Sequence, residues 1–194
     1  MKYFKILMVS IFLAVIGVAP TSGWTIEACR EKPALDDNLS WQKVVQYAQK
    51  NLSLTGQLLV KSDGFAYLKV DDAYIHDLFP MLGLEKDGFN KPPYFRSKEA
   101  PGAHISVFYK DEHIKAAEVG QYFRFELKQI VIVKADKDTS YAVLQVVSPE
   151  LERLREKYGL SPKLHGHEYH ISLGKKTYRC GKKHIKESSE TNRH

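Results

Sequence analysis

The stretch AHISVFYK at residues 103–110 has a counterpart, YHISLGKK, at residues 169–176. Both copies contain His-Ile-Ser followed by an aliphatic residue, and both carry a lysine six positions after the histidine. The residues of each copy favour β-structure, so each copy is predicted to form a strand. Because side chains alternate along a strand, the histidine and serine of each copy share one face, while the isoleucine points into a core.

The polar residues of these copies, His104, Ser106, His170 and Ser172, form the candidate site. Displacement at phosphorus needs a base for the attacking oxygen and an acid for the leaving oxygen, and two imidazoles can fill both roles near neutral pH. Two hydroxyls can donate hydrogen bonds to the phosphoryl oxygens. We therefore predict two catalytic histidines and two substrate-binding serines. The pattern leaves open which histidine is the base, and whether the two are only structural histidines with locally satisfied ring nitrogens.

Two residues beside the motifs are predicted to contact the substrate. Tyr109 lies at the end of the first motif strand and is suited to stack on a nucleobase, the alternative being packing on the surface. Lys175 is suited to attract an anionic substrate, although an exposed lysine is often only a solvated charge. The run HGHEYH at residues 165–170 places imidazoles beside a carboxylate, but its spacing matches no standard zinc pattern. We therefore predict no metal site and no cofactor.

Outward from the two motifs, hydrophobic spacing predicts three helices. The first runs over residues 40–52 with Ser40 as its cap, and the second follows two aspartates and reaches residue 83. The third is the clearest, with Ser148 as its cap, a proline at its first position and a glycine at residue 159 that ends it.

The remaining segments alternate between strands and irregular chain. Residues 86–102 contain several prolines and glycines and are predicted to form a long surface loop. Helices and strands do not follow the regular spacing of parallel α/β folds, which indicates an α+β class with a largely antiparallel sheet. Strands are predicted at residues 65–70, 103–109, 122–133, 141–147 and 168–173.

Both ends of the chain are predicted to lie outside the folded domain. A short basic region, an apolar run and small residues make residues 1–23 a predicted signal peptide, the alternative being an uncleaved N-terminal anchor. The domain then covers residues 24–180, followed by a polar tail at residues 181–194. The signal peptide predicts an exported protein, either periplasmic or secreted. After its cleavage no membrane span is expected.

Export bears on the two cysteines, Cys29 and Cys180, which lie near the ends of the exported chain. In an oxidising compartment an isolated pair most simply forms one disulfide, which here would join the N-terminal and C-terminal segments. Two free thiols are the alternative.

The composition excludes several classes of protein. With 12 Gly and 8 Pro among 194 residues, the chain is neither collagen-like nor of low complexity. Its 43% hydrophobic and 27% charged residues are typical of one globular domain. Lys and Arg outnumber Asp and Glu by 29 to 23, a formal net charge of +6 that permits an anionic partner without requiring one.

The paired motifs resemble the signature of the two-histidine (2H) phosphoesterases, whose members carry one His-x-Thr or His-x-Ser motif in each lobe. The matching residues are His104 with Ser106 and His170 with Ser172. The resemblance implies a bilobal α+β fold with largely antiparallel sheets, pseudo-twofold symmetry and flanking helices. It also implies metal-independent hydrolysis of a phosphodiester by two-histidine acid/base catalysis.

Together with export, the resemblance implies an exported hydrolase that acts on a 2′,3′-cyclic phosphate or a short RNA-like phosphodiester. The alternatives are a 3′-exonuclease or a cyclic-oligonucleotide phosphodiesterase on the same site, or a catalytically silent secreted binding domain. The expected partner is a small nucleotide or a short RNA-like substrate. A monomer is expected, and no stable nucleic-acid complex.

Overall fold

The computed structural model describes residues 37–95 and 100–178. Outside the described residues lie the predicted signal peptide (residues 1–23), Cys29, Cys180 and the polar tail (residues 181–194). The signal peptide, the disulfide and the tail therefore stay predictions. Within the described ranges, no helix is long and apolar enough to cross a membrane.

Four α-helices lie close to the predicted positions. The first begins upstream of Ser40, which lies within its first turn, so the predicted cap is wrong. The second predicted helix is split in two, because Pro80 has no amide hydrogen to donate to the carbonyl of His76, where the first piece ends. The cap of the last helix is confirmed: the Ser148 side chain accepts a hydrogen bond from the amide of Leu151. The helices are α1 (Asp37–Asn51), α2 (Ala73–His76), α3 (Leu78–Met81) and α4 (Pro149–Lys157), and a 3₁₀ turn covers Lys110–Glu112.

In the part of the chain that the structure describes, seven antiparallel strands form one sheet, which confirms the predicted α+β class. In spatial order the strands run β4-β1-β2-β3-β7-β6-β5. Strand β1 is not among the predicted strands. At Gly56 a Cβ atom would come within 2.6 Å of the Lys69 carbonyl oxygen. Close packing therefore requires a glycine at this position, although glycine favours strands poorly. The strands are β1 (Thr55–Val60), β2 (Ala66–Lys69), β3 (His104–Phe108), β4 (Tyr122–Arg124), β5 (Glu126–Asp136), β6 (Thr139–Val147) and β7 (His170–Thr177).

The sheet has two similar halves, related as the pseudo-twofold symmetry implied by the resemblance requires. In each half a hairpin (β1-β2 or β5-β6) is followed by helix and loop and then by the central strand (β3 or β7). Each half breaks its register at the same place, between Ala66 and Tyr67 in one and between Ala142 and Val143 in the other. Strands β3 and β7 therefore carry matching bulges immediately after their motif serines.

The two halves meet at the centre of the sheet and exchange their helices. Ile105 of β3 pairs with Ile171 of β7, and both side chains are fully buried, as predicted. Burying each contributes about 1.5–3 kcal/mol. Helices α2 and α3, which lead into β3, pack on β7, whereas α4, which leads into β7, packs on β3 and β4. The core therefore spans both halves, on the face of the sheet opposite the motif histidines.

A buried ion pair holds the bulge that follows Ser106. Arg155 of α4, only 2% exposed, donates hydrogen bonds to the carbonyl oxygen of Val107 (2.7 Å) and to both carboxylate oxygens of Glu112 (2.7 and 3.0 Å). Glu112 also accepts a hydrogen bond from the amide of Tyr109 (2.8 Å). Burial opposes ionisation of Glu112, but these hydrogen bonds outweigh it and hold the pKa of its carboxyl below the ordinary value. Helix α4 thus fixes the backbone that leads from Ser106 to Tyr109.

Candidate active site

The pairing of Ile105 with Ile171 determines how the two motifs face each other. In an antiparallel ladder this register places His104 opposite Ser172, and Ser106 opposite His170. The two histidines are then diagonal neighbours, a relation that separates side chains by about 7–8 Å. Each motif therefore presents its imidazole beside the hydroxyl of the other motif, with room for one phosphate between the two rings.

All four motif side chains line one cleft of about 750 Å³. The structure brings together, as the sequence predicts, His104, Ser106, His170 and Ser172. The cleft is larger than the motif residues alone require, because both hairpins contribute to its walls. The other residues that line the cleft include Lys61, Phe65, Tyr94, Tyr109, Tyr141, Gln145 and Glu168.

The two imidazoles are held in the same way. Nδ1 of His104 lies 2.8 Å from the carbonyl oxygen of Gly102, and Nδ1 of His170 lies 3.0 Å from that of Glu168. A carbonyl oxygen can only accept, so Nδ1 carries a hydrogen and donates it in both cases. This leaves Nε2 of each ring for the cleft, where it is a base when neutral and an acid when protonated.

Aromatic rings surround only one of the two histidines. Phe65, Tyr67 and Tyr94 meet the His104 ring edge-on, with ring centroids 5.9, 5.5 and 4.7 Å away. His170 has no such ring contact within the described part of the chain, and its neighbour across the ladder is Gln145. The two halves of the site therefore differ in polarity around the same imidazole group.

This enclosure changes the protonation of His104. Burial lowers the pKa of its imidazole below the ordinary value, since the charged form loses hydration. The hydrogen bond to Gly102 acts in the opposite direction, whereas the charges of Lys69, His170 and Lys61 add to the lowering. The neutral ring, with its lone pair on Nε2, is therefore the favoured form of His104.

The carbonyl that orients His104 is itself held in place. Gly102 has a φ of +62°, a left-handed conformation that favours glycine. A Cβ atom at this residue would collide with the Asp72 carboxylate and the Lys69 ammonium, which form an ion pair. Asp72 also accepts a hydrogen bond from the amide of Ala103 (2.8 Å). The segment before β3 is thus packed against this ion pair, which sets the direction of the Gly102 carbonyl.

Tyr109 and Lys175 occupy equivalent places in the two halves, each directly after the residue that closes its bulge. Tyr109 lines the cleft, is 37% exposed and lies almost parallel to Phe65, with 6.3 Å between ring centroids. Lys175 is not among the residues that line the cleft. Its ammonium lies 5.7 Å from the centroid of the Tyr141 ring, which does line the cleft. Substrate contact by either residue stays a prediction.

Several cleft residues were not foreseen in the sequence. Phe65 lies in a predicted strand, but alternation alone does not tell which face of the sheet carries the cleft. Lys61 follows the strand that was not predicted, and Tyr94 lies in a predicted loop without any periodic pattern. The one available signal was the spacing of Phe65 and Tyr67, which must share a face.

No cluster of three or more His, Cys, Asp or Glu side chains placed to hold a metal ion occurs within residues 37–95 and 100–178. In the run at residues 165–170, His165 contacts the Tyr109 ring edge-on, with 4.9 Å between centroids. Glu168 accepts a hydrogen bond from Lys163 (2.6 Å), and this bond holds the pKa of its carboxyl below the ordinary value. These side chains are therefore engaged with separate partners.

The arrangement can perform in-line displacement at a bound phosphate. A neutral Nε2 on one side can take a proton from the attacking oxygen, while a protonated Nε2 on the other side donates one to the leaving oxygen. The serine hydroxyls lie between them, where they can donate hydrogen bonds to the oxygens that gain charge. The same groups would also bind a phosphate without reacting.

Comparison with known protein families gives a match over most of the described part of the chain. A family model described as "Swiss Army Knife, 2H phosphoesterase domain" matches residues 66–179, which include both motifs and most of the cleft. No curated protein and no solved structure matches the chain.

Proposed function

Because the chain belongs to the 2H phosphoesterase family, we propose that it is an exported, metal-independent phosphodiesterase that opens a 2′,3′-cyclic phosphate. Membership of the family makes it a phosphoesterase, a phosphodiesterase-type hydrolase. The type of ester and the site of action belong to the proposal. Its catalytic residues are His104 and His170, and its phosphoryl-binding residues are Ser106 and Ser172.

The observation that carries the proposal is the crossed arrangement of the motifs. Each imidazole lies beside the other motif's hydroxyl, and each has Nδ1 bound to a backbone carbonyl. A histidine with a purely structural role in a strand does not require its Nε2 to face a cleft. Two that do so, diagonally across one pair of strands, have the geometry of an acid and a base on either side of phosphorus.

We assign the base to His104 and the acid to His170. The aromatic rings around His104 favour its neutral form, which is the form that accepts a proton. In hydrolysis of a cyclic phosphate, water would attack from the His104 side. The ribose oxygen would then leave on the side of His170, among more polar neighbours such as Gln145.

One observation favours a second candidate, cleavage of a short linear RNA-like phosphodiester. The aromatic residues Phe65 and Tyr109 lie at the same end of the cleft as His104. A nucleoside stacked on Tyr109 would bring its own 2′-hydroxyl to the base, and the 5′-oxygen of the next nucleotide would leave beside His170. The proton transfers are the same, but the nucleophile belongs to the substrate.

A chelator-treated activity screen separates these possibilities. The substrates are a 2′,3′-cyclic mononucleotide, a ribodinucleotide and the same dinucleotide lacking the 2′-hydroxyl. Turnover of the cyclic nucleotide supports the first candidate. Turnover of the ribodinucleotide alone, with none of its 2′-deoxy control, supports the second. Loss of activity with chelator contradicts the mechanism, and absence of turnover on all three supports a silent binding domain.

The proposal of export depends on residues 1–23, and the proposed disulfide follows from export; the two are tested separately from the catalytic proposal. We expect the purified exported protein to begin near residue 24 and to contain a Cys29–Cys180 disulfide. N-terminal sequencing and mass measurement before and after reduction and alkylation check both. Two thiols that alkylate without reduction would contradict the disulfide while leaving the catalytic proposal unaffected.

A further inference from the structure

The tight turn before β7 contains a histidine that takes no part in the proton transfers. In this turn Leu164 and His167 form an antiparallel bridge, and the amide of His167 donates a hydrogen bond to the carbonyl oxygen of Leu164 (3.0 Å). The two residues between them, His165 and Gly166, have φ of +50° and +76°. Positive φ at both central residues is typical of a type I′ turn, for which Asn-Gly is a preferred pair. The backbone alone therefore does not require an imidazole at residue 165.

The imidazole of His165 lies against Tyr109, a cleft residue of the other half of the sheet. The two rings meet edge-on at 83°, with 4.9 Å between their centroids. Phe65 lies almost parallel to the same tyrosine ring, at 21° and with 6.3 Å between centroids. Aromatic pairs of both geometries are attractive. Each half of the sheet thus places one ring against Tyr109, and the two contacts together restrict the rotation of its side chain.

The backbone is anchored on both sides of this contact. The amide of Tyr109 donates a hydrogen bond to the carboxylate of Glu112 (2.8 Å). On the other side, Leu164 is buried, and an ion pair between Lys163 and Glu168 (2.6 Å) spans the turn. The contact between the imidazole and the phenol therefore joins two anchored segments of the chain.

A ring held in this way is a preformed surface for a flat part of a ligand. Tyr109 lines the cleft and is 37% exposed, so part of its surface remains open. Binding is stronger when the protein side chain is already ordered, because the entropy of fixing it is not lost on binding. Every nucleobase has a π-face that can stack on such a ring. The surface therefore suits nucleotides as a class and does not select one base.

We propose that His165 is a positioning residue, which holds Tyr109 in the orientation that accepts a nucleobase and thereby favours nucleotides over phosphodiesters without a base. The inference rests on the proposed function, because it takes a nucleotide as the substrate. His165 acts through Tyr109 and not on the phosphate. Its removal should therefore weaken binding of the base and leave the proton transfers unchanged.

His165→Asn tests the inference, because it removes the imidazole and supplies a residue that the turn prefers. We expect KM for a nucleoside 2′,3′-cyclic phosphate to rise about three- to fivefold with kcat unchanged. KM for ribose 2,3-cyclic phosphate, which has the same ester and no base, should not change. In a Tyr109→Ala background the substitution should raise KM less than about twofold, because the ring that it positions is then absent.

His113→Asn is the matched control for this substitution. His113 also has a left-handed backbone, with φ of +53°, and is exposed. It makes no ring contact within the described part of the chain, so the same change should leave KM for both substrates at the parental value. Asparagine adopts the left-handed region readily, so thermal unfolding of His165→Asn should occur at or above the parental temperature. A rise in KM then does not come from a loss of structure.

Three results would overturn the inference. One is an unchanged KM of His165→Asn for the nucleotide. Another is an equal rise in KM for the substrates with and without a base, which would place the effect at the reacting ester. The third is an undiminished effect in the Tyr109→Ala background, which would make His165 itself the surface on which the base stacks.

Binding measured without turnover separates this inference from the proposed function. A nucleoside 3′-monophosphate and inorganic phosphate are each titrated calorimetrically into the parent and into His165→Asn. Weaker binding of the nucleotide alone by the variant supports the inference even if no substrate is turned over. Equal nucleotide affinity of the two proteins rejects it even if the enzyme is active. A parent that binds inorganic phosphate as tightly as the nucleotide gains nothing from the base, which also rejects the inference and leaves the proposed function intact.

Discussion

The two halves of the sheet share a backbone plan and differ in side chains. Both hold a histidine through Nδ1 and a backbone carbonyl, and both bulge directly after the motif serine. Around that common frame, one half places Phe65, Tyr67 and Tyr109 where the other places Tyr141, Val143 and Lys175. Under the proposed function, the twofold placement serves the proton transfers, and the unlike sides serve recognition of a directional substrate.

The largest effect should come from the groups that the two halves share. His104→Ala and His170→Ala are each expected to lower turnover by a factor on the order of 10² or more, because each removes one proton transfer. The double variant should be little worse than the poorer single variant, since residues that act as a unit are not additive. Steady-state kinetics checks this, with the exposed His113→Asn as a control that keeps full activity.

Near-parental turnover of either histidine variant would contradict the equivalence of the two halves in proton transfer. It would mean that only one half takes part in proton transfer, and that the other motif has a structural role.

A smaller effect is expected from the carbonyls that hold the rings. Gly102→Ala forces a side chain into a left-handed backbone and into the Asp72–Lys69 ion pair, so we expect about 1–3 kcal/mol of destabilisation and roughly tenfold lower kcat. Glu168→Ala keeps the backbone carbonyl that holds His170 and removes only partly exposed ion pairs with Lys163 and Lys128, so stability should change by less than about 1 kcal/mol. Denaturant unfolding and kinetics of the two variants test this expectation. Equal losses of stability and of kcat in both variants would contradict it.

The equivalent residues Tyr109 and Lys175 sharpen the comparison at the level of binding. If a base stacks on the aromatic side, Tyr109→Ala should raise KM about tenfold with kcat nearly unchanged. Lys175→Ala should raise KM less than about threefold, because its ammonium lies over Tyr141 and outside the cleft lining. Kinetics on one nucleotide substrate decides it. A larger effect of Lys175→Ala would place recognition in the other half.

The smallest effect is a shift along the pH axis. Activity needs neutral His104, and burial lowers the pKa of that imidazole, so the acid limb of kcat/KM should lie below 6.5, the ordinary pKa of histidine. Phe65→Ala opens one side of the enclosure and should move the acid limb up toward 6.5. A pH–rate profile of both proteins measures this. Gln145→Ala, beside His170, is the control that leaves the acid limb in place; an acid limb that moves equally in both variants would remove the basis for assigning the base to His104.

Sequence patterns were sufficient for the parts that repeat along the chain. Alternation within two His-Ile-Ser stretches predicted a shared face for His104 and Ser106, and for His170 and Ser172, with Ile105 facing the core. The cap at Ser148 was predicted because a capping bond is formed between residues three apart, which makes it a local property.

The unlike surroundings of the two histidines were beyond the sequence, because they depend on contacts between distant segments. Tyr94 reaches the His104 ring from a loop, and no local pattern indicates where a loop residue lies. Arg155 reaches Val107 from the other half of the fold. Its burial is not predicted by sequence, because a single arginine in an amphipathic helix is usually a surface residue. Strand β1 was not predicted because glycine, the residue at position 56, favours strands poorly. Close packing in the folded sheet requires a glycine there.

The seam between β3 and β7 has a consequence for how the protein is made. Strand β3 leaves the ribosome well before β7, so its inner edge, with His104 and Ser106 beside it, has no neighbour until residues 170–177 emerge. Closing the long loop between Ile105 and Ile171 costs entropy that is offset only when the exchanged helices dock. The candidate site is therefore completed late in synthesis, when β7 pairs with β3. A chain that ends before residue 170 carries one of the two motifs.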